Sequence, residues 1–224
     1  IQMADLGSIA ASGAYSSIGF GSLDQKLAQR SQEEILEYNL ATTIDVNKLL
    51  PGDLPLSLPL YAQYANTRKT PRYDPFDLDI TVRDKTAAFP DRADEIKEVA
   101  VEQTSISTIN MTNVKVTQKG KKKSMPWDIS NVSTSYAFTR VDHKDPIIER
   151  DRTDTHLASL DYAFNRTVKY WEPFKKTKTP LKIINFNFLP NSFSFKNEVA
   201  RYKNVRTYRL PEEFDYTFYD QRFN

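Results

Sequence analysis

The sequence predicts an all-β protein built as an antiparallel meander, and three observations carry that expectation. The first is strict alternation in two adjacent segments. From Asp128 to Val141, Val132, Thr134, Tyr136 and Phe138 occupy one parity, and Ser133, Ser135, Ala137 and Thr139 the other. From Asp154 to Arg166, Ala158, Leu160, Tyr162 and Phe164 alternate with Ser159, Asp161, Ala163 and Asn165. Successive side chains of a strand point to opposite faces, so each segment has one face of large apolar groups and one of small or polar groups. The second is length. About 11 residues rising ~3.3 Å each and tilted ~40° cover roughly 28 Å, close to the hydrocarbon thickness of a bilayer, whereas soluble strands average nearer five or six residues. The third is composition: 13 Phe and 12 Tyr against 2 Trp, which suits strands and interfacial girdles. A soluble sandwich buries the large face. A transmembrane barrel turns it to lipid and gives the small polar face to a wet lumen. The length favours the barrel.

The remaining composition excludes more than it assigns. The chain has 224 residues, 39% of them hydrophobic. It contains no run of 18 apolar residues, which excludes a transmembrane helix but not a barrel whose strands are apolar only at alternate positions. Lys plus Arg is 31 and Asp plus Glu 29, a net charge of +2 that gives no basis for a nucleic-acid binder. The absence of cysteine removes disulfides and thiolate metal sites. The chain opens at Ile1 in mid-pattern, with neither an initiator Met nor a signal sequence, and reads as an internal segment of something longer.

Taken in order, Ile9, Ala11, Gly13 and Tyr15 alternate with small residues in a first strand, which Gly19-Phe20-Gly21-Ser22 is expected to break. Leu23, Leu27 and Ala28 have helical spacing in the connection that follows. Leu36, Tyr38, Leu40, Thr42, Ile44 and Val46 form the clearest long strand, closed by the turn Leu49 to Asp53. Leu56, Leu58, Leu60 and Tyr64 restart the alternation. Pro55 is expected at the strand's entry and Pro59 at a bulge or unpaired edge position. Thr67 to Gln103 is a long polar connection in which Ile96, Val99 and Ala100 suit a short helix. Ile106, Thr108, Asn110, Thr112, Val114 and Val116 read as one weaker strand, followed by the basic turn Lys119 to Lys123. The two opening segments come next, joined by a charged loop from Asp142 to Asp151. A basic, aromatic connection at about 167–191 precedes a strand with Phe193, Phe195 and Val199, and the end from Arg201 is less regular.

Little here suggests reaction chemistry. His143 and His156 are read as plain polar residues, since with no Cys a metal centre needs carboxylates. Asp74, Asp77 and Asp79 have calcium-loop spacing, but Pro75 and Phe76 intrude and no terminal Glu follows at the required position. Asp142, Asp145, Glu149, Asp151 and Asp154 read as solvated loop carboxylates. Neither a phosphate loop nor a nucleophile elbow is present. The expectation is no catalytic residue, no cofactor and no metal. The structural assignment puts Leu36, Leu40, Leu58, Leu60, Tyr136, Phe138, Leu160 and Tyr162 toward lipid, and Asn39, Asp45, Ser135, Ser159 and Asp161 toward the lumen.

An ordered set of short stretches carries a family resemblance. They are Ala4-Asp5-Leu6-Gly7 with Ser12-Gly13-Ala14-Tyr15-Ser16, Gly19-Phe20-Gly21-Ser22 with Gln25 and Arg30, Lys48-Leu49-Leu50-Pro51, and Pro71-Arg72-Tyr73-Asp74-Pro75-Phe76-Asp77-Leu78-Asp79-Ile80. Further on come Thr112-Asn113-Val114, Asp128-Ile129-Ser130-Asn131, Glu172-Pro173-Phe174-Lys175-Lys176 and Leu189-Pro190-Asn191-Ser192-Phe193-Ser194-Phe195. In this order the chain resembles the SprA/Sov family, the outer-membrane translocon of the type IX secretion system needed for gliding motility in Bacteroidota. Arg83 to Gln118 and the end after Tyr208 depart from the pattern. The resemblance implies that residues 1–224 form one wall segment of a very large outer-membrane barrel exporting folded cargo. It implies as partners a PorV-type cargo-shuttle barrel, a plug protein, a periplasmic prolyl isomerase, secreted cargo and outer-membrane lipid. The long connection at 67–103 is then outward, and 49–54 and 167–191 lie on the periplasmic side. The competing reading is a soluble all-β module that binds carbohydrate or protein through its loops.

Overall fold

β-Branched and aromatic residues at alternate positions fit a pleated surface, and turn residues interrupt them at intervals that let each strand fold back on the last. The computed structural model describes residues 2–3, 6–20, 31–49, 55–117, 125–166, 171, 186–187, 190–210 and 215–224. Among these residues ten strands form one antiparallel sheet: β1 (Gln2–Met3), β2 (Gly7–Phe20), β3 (Ser31–Asp45), β4 (Leu56–Ser57), β5 (Pro59–Pro71), β6 (Glu102–Val116), β7 (Val132–Lys144), β8 (Ile148–Asn165), β9 (Ser192–Tyr208) and β10 (Tyr216–Phe223). Their spatial order is β1-β2-β3-β5-β6-β7-β8-β9-β10, with β4 beside β6, so the sheet is an up-and-down meander. No described helix is long and apolar enough to cross a membrane.

The strands are longer than the sequence pattern marks. The first continues through Gly19 and Phe20 instead of breaking there. The expected loop from Asp142 to Asp151 is mostly strand. β7 and β8 are joined by a tight turn in which Asp145 Oδ1 accepts the N–H groups of Ile147 (2.8 Å) and Ile148 (2.6 Å). The connection expected at 67–103 shrinks to 72–101, because β5 runs through Pro71 and β6 starts at Glu102. The end from Arg201 is also strand, in β9 and β10. In the last three cases charged residues on both faces hide the alternation, while cross-strand ion pairs and the backbone ladder hold the strand. The helix expected around Leu23 to Ala28, the turn from Leu50 to Asp53 and the basic run Lys119 to Lys123 lie outside the described residues.

Two irregularities fix the register. β6 carries a bulge between Met111 and Val114, and Asn113 there has φ 55°. Asn tolerates this left-handed region, and its N–H donates to Ser135 Oγ at 2.9 Å. Leu58 and Pro59 sit opposite the same bulge, between the pairs Ser57–Lys115 and Leu60–Met111. At the other edge Gly7 has φ 156°, and a Cβ there would stand 1.9 Å from the Thr43 carbonyl oxygen, so only glycine fits.

The connection at 72–101 folds as a small cap. It contains α1 (Val82–Ala88) and α2 (Ala93–Ala100). The second matches the helix expected around Ile96 to Ala100. The first was not expected. Thr81 caps it, its hydroxyl accepting the Asp84 N–H at 3.1 Å and donating to Asp84 Oδ2 at 2.7 Å. Among the described residues the only buried apolar side chains are Ala100 and Val101, at the cap's return to the sheet, and no second layer of secondary structure lies over either face.

Candidate functional site: the two faces of the sheet and the cap

Cross-strand partners share a face, so the registers assign every strand residue to one side. Leu36 pairs with Arg68, Leu40 with Tyr64 and Ile44 with Leu60. Leu60 leads through Met111 to Tyr136, and Phe138 pairs with His156. Thr134 pairs with Leu160 and Val132 with Tyr162. Leu36, Leu40, Leu60, Tyr136, Phe138, Leu160 and Tyr162 therefore share one side, here the apolar face. Asn39, Asp45, Ser135, Ser159 and Asp161 all fall on the other, the polar face. Leu58 lies between β4 and β5, where its carbonyl accepts the Val46 N–H at 3.0 Å opposite the bulge in β6.

The polar face is tied by side-chain hydrogen bonds running across strands. Gln63 Nε2 donates to Asn39 Oδ1 at 2.9 Å, and Tyr61 OH donates to Gln63 Oε1 at 2.7 Å. Lys69 and Glu102 pair at 2.9 Å, and Thr104 Oγ1 lies 2.9 Å from His143 Nδ1. Asp151 accepts from Asn204 Nδ2 at 2.6 Å and pairs with Arg206. Ser159 Oγ donates to Asp161 Oδ2 at 3.0 Å. At β9–β10 this face changes character. Tyr202 and Phe218 meet edge to face at 5.9 Å, and Arg206 lies 5.4 Å from the centre of the Tyr216 ring. Sequence reasoning missed this aromatic patch, which the pattern in Tyr216 to Arg222 marks only once the β9 register is known.

The apolar face carries a band of aliphatic and aromatic side chains that stay solvent-accessible: Leu36 is 45% exposed, Leu40 51% and Leu160 49%. The band does not run square to the strands. On β5 its border with charge is Arg68, in the row of Leu36. On β9 the border is Arg201, whose row runs through His156, Phe138, Ile109 and Ala62. Ala62 is six residues from Arg68 along β5. Six residues are roughly 20 Å along a strand, and the four strand steps from β5 to β9 are roughly 19 Å across the sheet, so the border climbs at about 45°. Beyond it, Arg140 grips Asp154 with two bonds of 2.7 and 3.1 Å, Arg152 pairs with Asp142 at 2.7 Å, and His156 Nδ1 lies 2.9 Å from Tyr136 OH.

In the cap, Asp74 is 2% exposed. Its Oδ1 accepts the N–H groups of Phe76 (2.8 Å) and Asp77 (3.2 Å), while Oδ2 meets the Lys85 ammonium. Burial pushes this carboxyl up, but Lys85 and the two backbone donors outweigh it and hold it below the usual carboxylate range. Among the described residues no three His, Asp or Glu side chains converge for a metal. The same opposition acts at Asp145, where burial is outweighed by the Ile148 and Ile147 N–H groups and by His143. An open groove of about 390 Å³ lies beside Asp74, lined by Phe76, Phe89, Ile96 and Val99. Asp74, Lys85, Arg92 and Glu95 also line this groove, with Lys85 paired to Asp74 and Arg92 to Glu95.

No curated protein matches the chain. A family model does: SprA_N, described as motility related/secretion protein, matches residues 1–86, from β1 through most of α1. That stretch includes the Pro71 to Ile80 segment whose Asp74 organises the cap, and over these residues the chain is similar to that family of motility-related secretion proteins.

Proposed function

We propose that this chain is a structural segment of a protein-conducting outer-membrane pore, the type IX secretion translocon, which exports folded cargo and supports gliding motility. The observation that carries the reading is the diagonal border of the apolar face. Strands of transmembrane barrels tilt ~35–45° from the membrane normal, so a lipid-facing band that is level with the membrane must cross their rows at that angle. A border climbing about 45° across β5 to β9 is what a tilted wall requires. A soluble module would need to cover the apolar face, and no second layer does so among the described residues. In this reading Leu36, Leu40, Leu60, Tyr136, Phe138, Leu160 and Tyr162 face lipid, and Asn39, Asp45, Ser135, Ser159 and Asp161 face the lumen. The cap at 72–101 is outward and the 49–54 turn periplasmic. Flanking chain completes the wall, and the partners are a PorV-type shuttle barrel, a plug protein and a periplasmic prolyl isomerase. The segment contributes structure and no chemistry.

Single cysteines at Tyr136, Leu160, Ser135 and Ser159 of the full-length protein in cells test the assignment. A water-soluble maleimide is expected to label the two Ser positions and spare the other two. Equal labelling of all four ends the pore-wall reading.

A further inference from the structure

The border of the apolar face is not a uniform polar rim. Three successive rows cross it on β7 to β10: Phe138–His156–Arg201–Gln221, Arg140–Asp154–Lys203–Tyr219 and Asp142–Arg152–Val205–Thr217. They hold four Lys or Arg side chains against two carboxylates. Asp154 and Asp142 are taken by Arg140 and Arg152. Arg201 and Lys203 make no ion pair with a described residue. Both instead lie against one ring, that of Tyr219, at 6.0 and 5.5 Å from its centre. At the opposite border the same strands present Tyr162, Phe164, Phe193 and Phe195.

On the proposed wall, two cations without counterions at the edge of a lipid-facing band are costly unless something anionic meets them at that height. Long basic side chains reach the headgroup layer while their stems stay on apolar surface. Arg201 and Lys203 are two residues apart on one strand, so their stems start roughly 6.6 Å apart on the same face. A shared aromatic ring keeps both heads together, and Arg supplies the planar fork that binds phosphate oxygens with two bonds. The excess lies on the border nearer the cap, which the proposed topology puts in the outer leaflet.

We infer that Arg201, Lys203 and Tyr219 form a binding site for the phosphate of an anionic lipid headgroup in the outer leaflet. This rests on the proposed lipid-facing assignment, and its test separates the two. The full-length protein is placed in nanodiscs of phosphatidylcholine doped with equal amounts of a phosphorylated disaccharide glycolipid and its dephosphorylated form, and retained lipid is counted after mild detergent extraction. The expected result is a preference for the phosphorylated form of roughly thirtyfold, the scale of two cation–phosphate contacts. That preference should fall to near unity in the double variant Arg201→Gln/Lys203→Gln and survive in Lys196→Gln, on the opposite face. Equal retention of the two lipids by the unmodified protein overturns the site, and so does a double variant that keeps the preference. Full displacement by millimolar inorganic phosphate also overturns it, by assigning the cations to a free anion. A cysteine at Leu160, labelled in the same nanodiscs, reads the other claim: protection there with no lipid preference defeats this inference alone, and free labelling defeats the pore wall and this site together.

Discussion

Strand β7 buries none of its 13 residues, while the short connection at 72–101 holds Asp74, Ala100 and Val101, three of the five buried residues among those described. The two regions are stabilised in different ways. The sheet has a backbone ladder and cross-strand pairs but no interior, so its apolar side chains gain free energy only from the medium against them. The cap has a small interior of its own, closed by a buried carboxylate with three donors. One sequence therefore combines a part whose stability depends on its surroundings with a part that does not, and each can be perturbed separately.

The largest expected effect is on the medium-dependent part. Tyr136→Arg puts a charge within the apolar band and should cost about 2–4 kcal/mol in a folding titration of the full-length protein in bilayers, with Ser135→Arg costing far less. Equal costs would erase the difference between the faces. Next is the cap. Asp74→Ala strands the Lys85 ammonium and the Phe76 and Asp77 N–H groups, and should cost roughly 1–3 kcal/mol. The loss should be local. Hydrogen exchange should rise at Phe76 and Asp77 and stay unchanged at β7 amides, and a rise in both would mean that cap and wall are one unit. Acid should act on the same group more gently. Because the Asp74 pKa is lowered on folding, its contribution is complete above the unfolded carboxylate value near ~3.9 and is lost as pH falls through the lower folded value. Protection of the cap amides should therefore hold at pH 5 and decline only in stronger acid. The smallest effect is expected at the exposed pair Arg92–Glu95, where Glu95→Gln should leave cap protection unchanged.

The parity of the faces was legible wherever one side is large and the other small, as in Val132 to Phe138 and Ala158 to Phe164. It failed in β8 from Ile148 to Thr153 and in β9 beyond Arg201, where both faces carry charge and only the partners Asp142, Asp151 and Arg206 reveal a strand. The helix α1 did leave a signal, the Thr81-to-Asp84 capping spacing inside a polar stretch. The slope of the apolar border was not legible, since it exists only once four registers are known.

Asn113 has a consequence for how β6 is encoded. Ile106, Thr108 and Asn110 lie on the polar face, whereas Val114 and Val116, of the same parity, lie on the apolar one. The strand is written in two reading frames, and the extra residue is where one passes into the other. A hydropathy wave taken over its whole length adds two signals half a period apart and nearly cancels them, which is why this strand reads as the weakest while pairing along its whole length. Removing Asn113 would erase the bulge and put the two halves in one reading frame, with Val114 still opposite Thr134 on the apolar side and Lys115 still opposite Ser133 on the polar side.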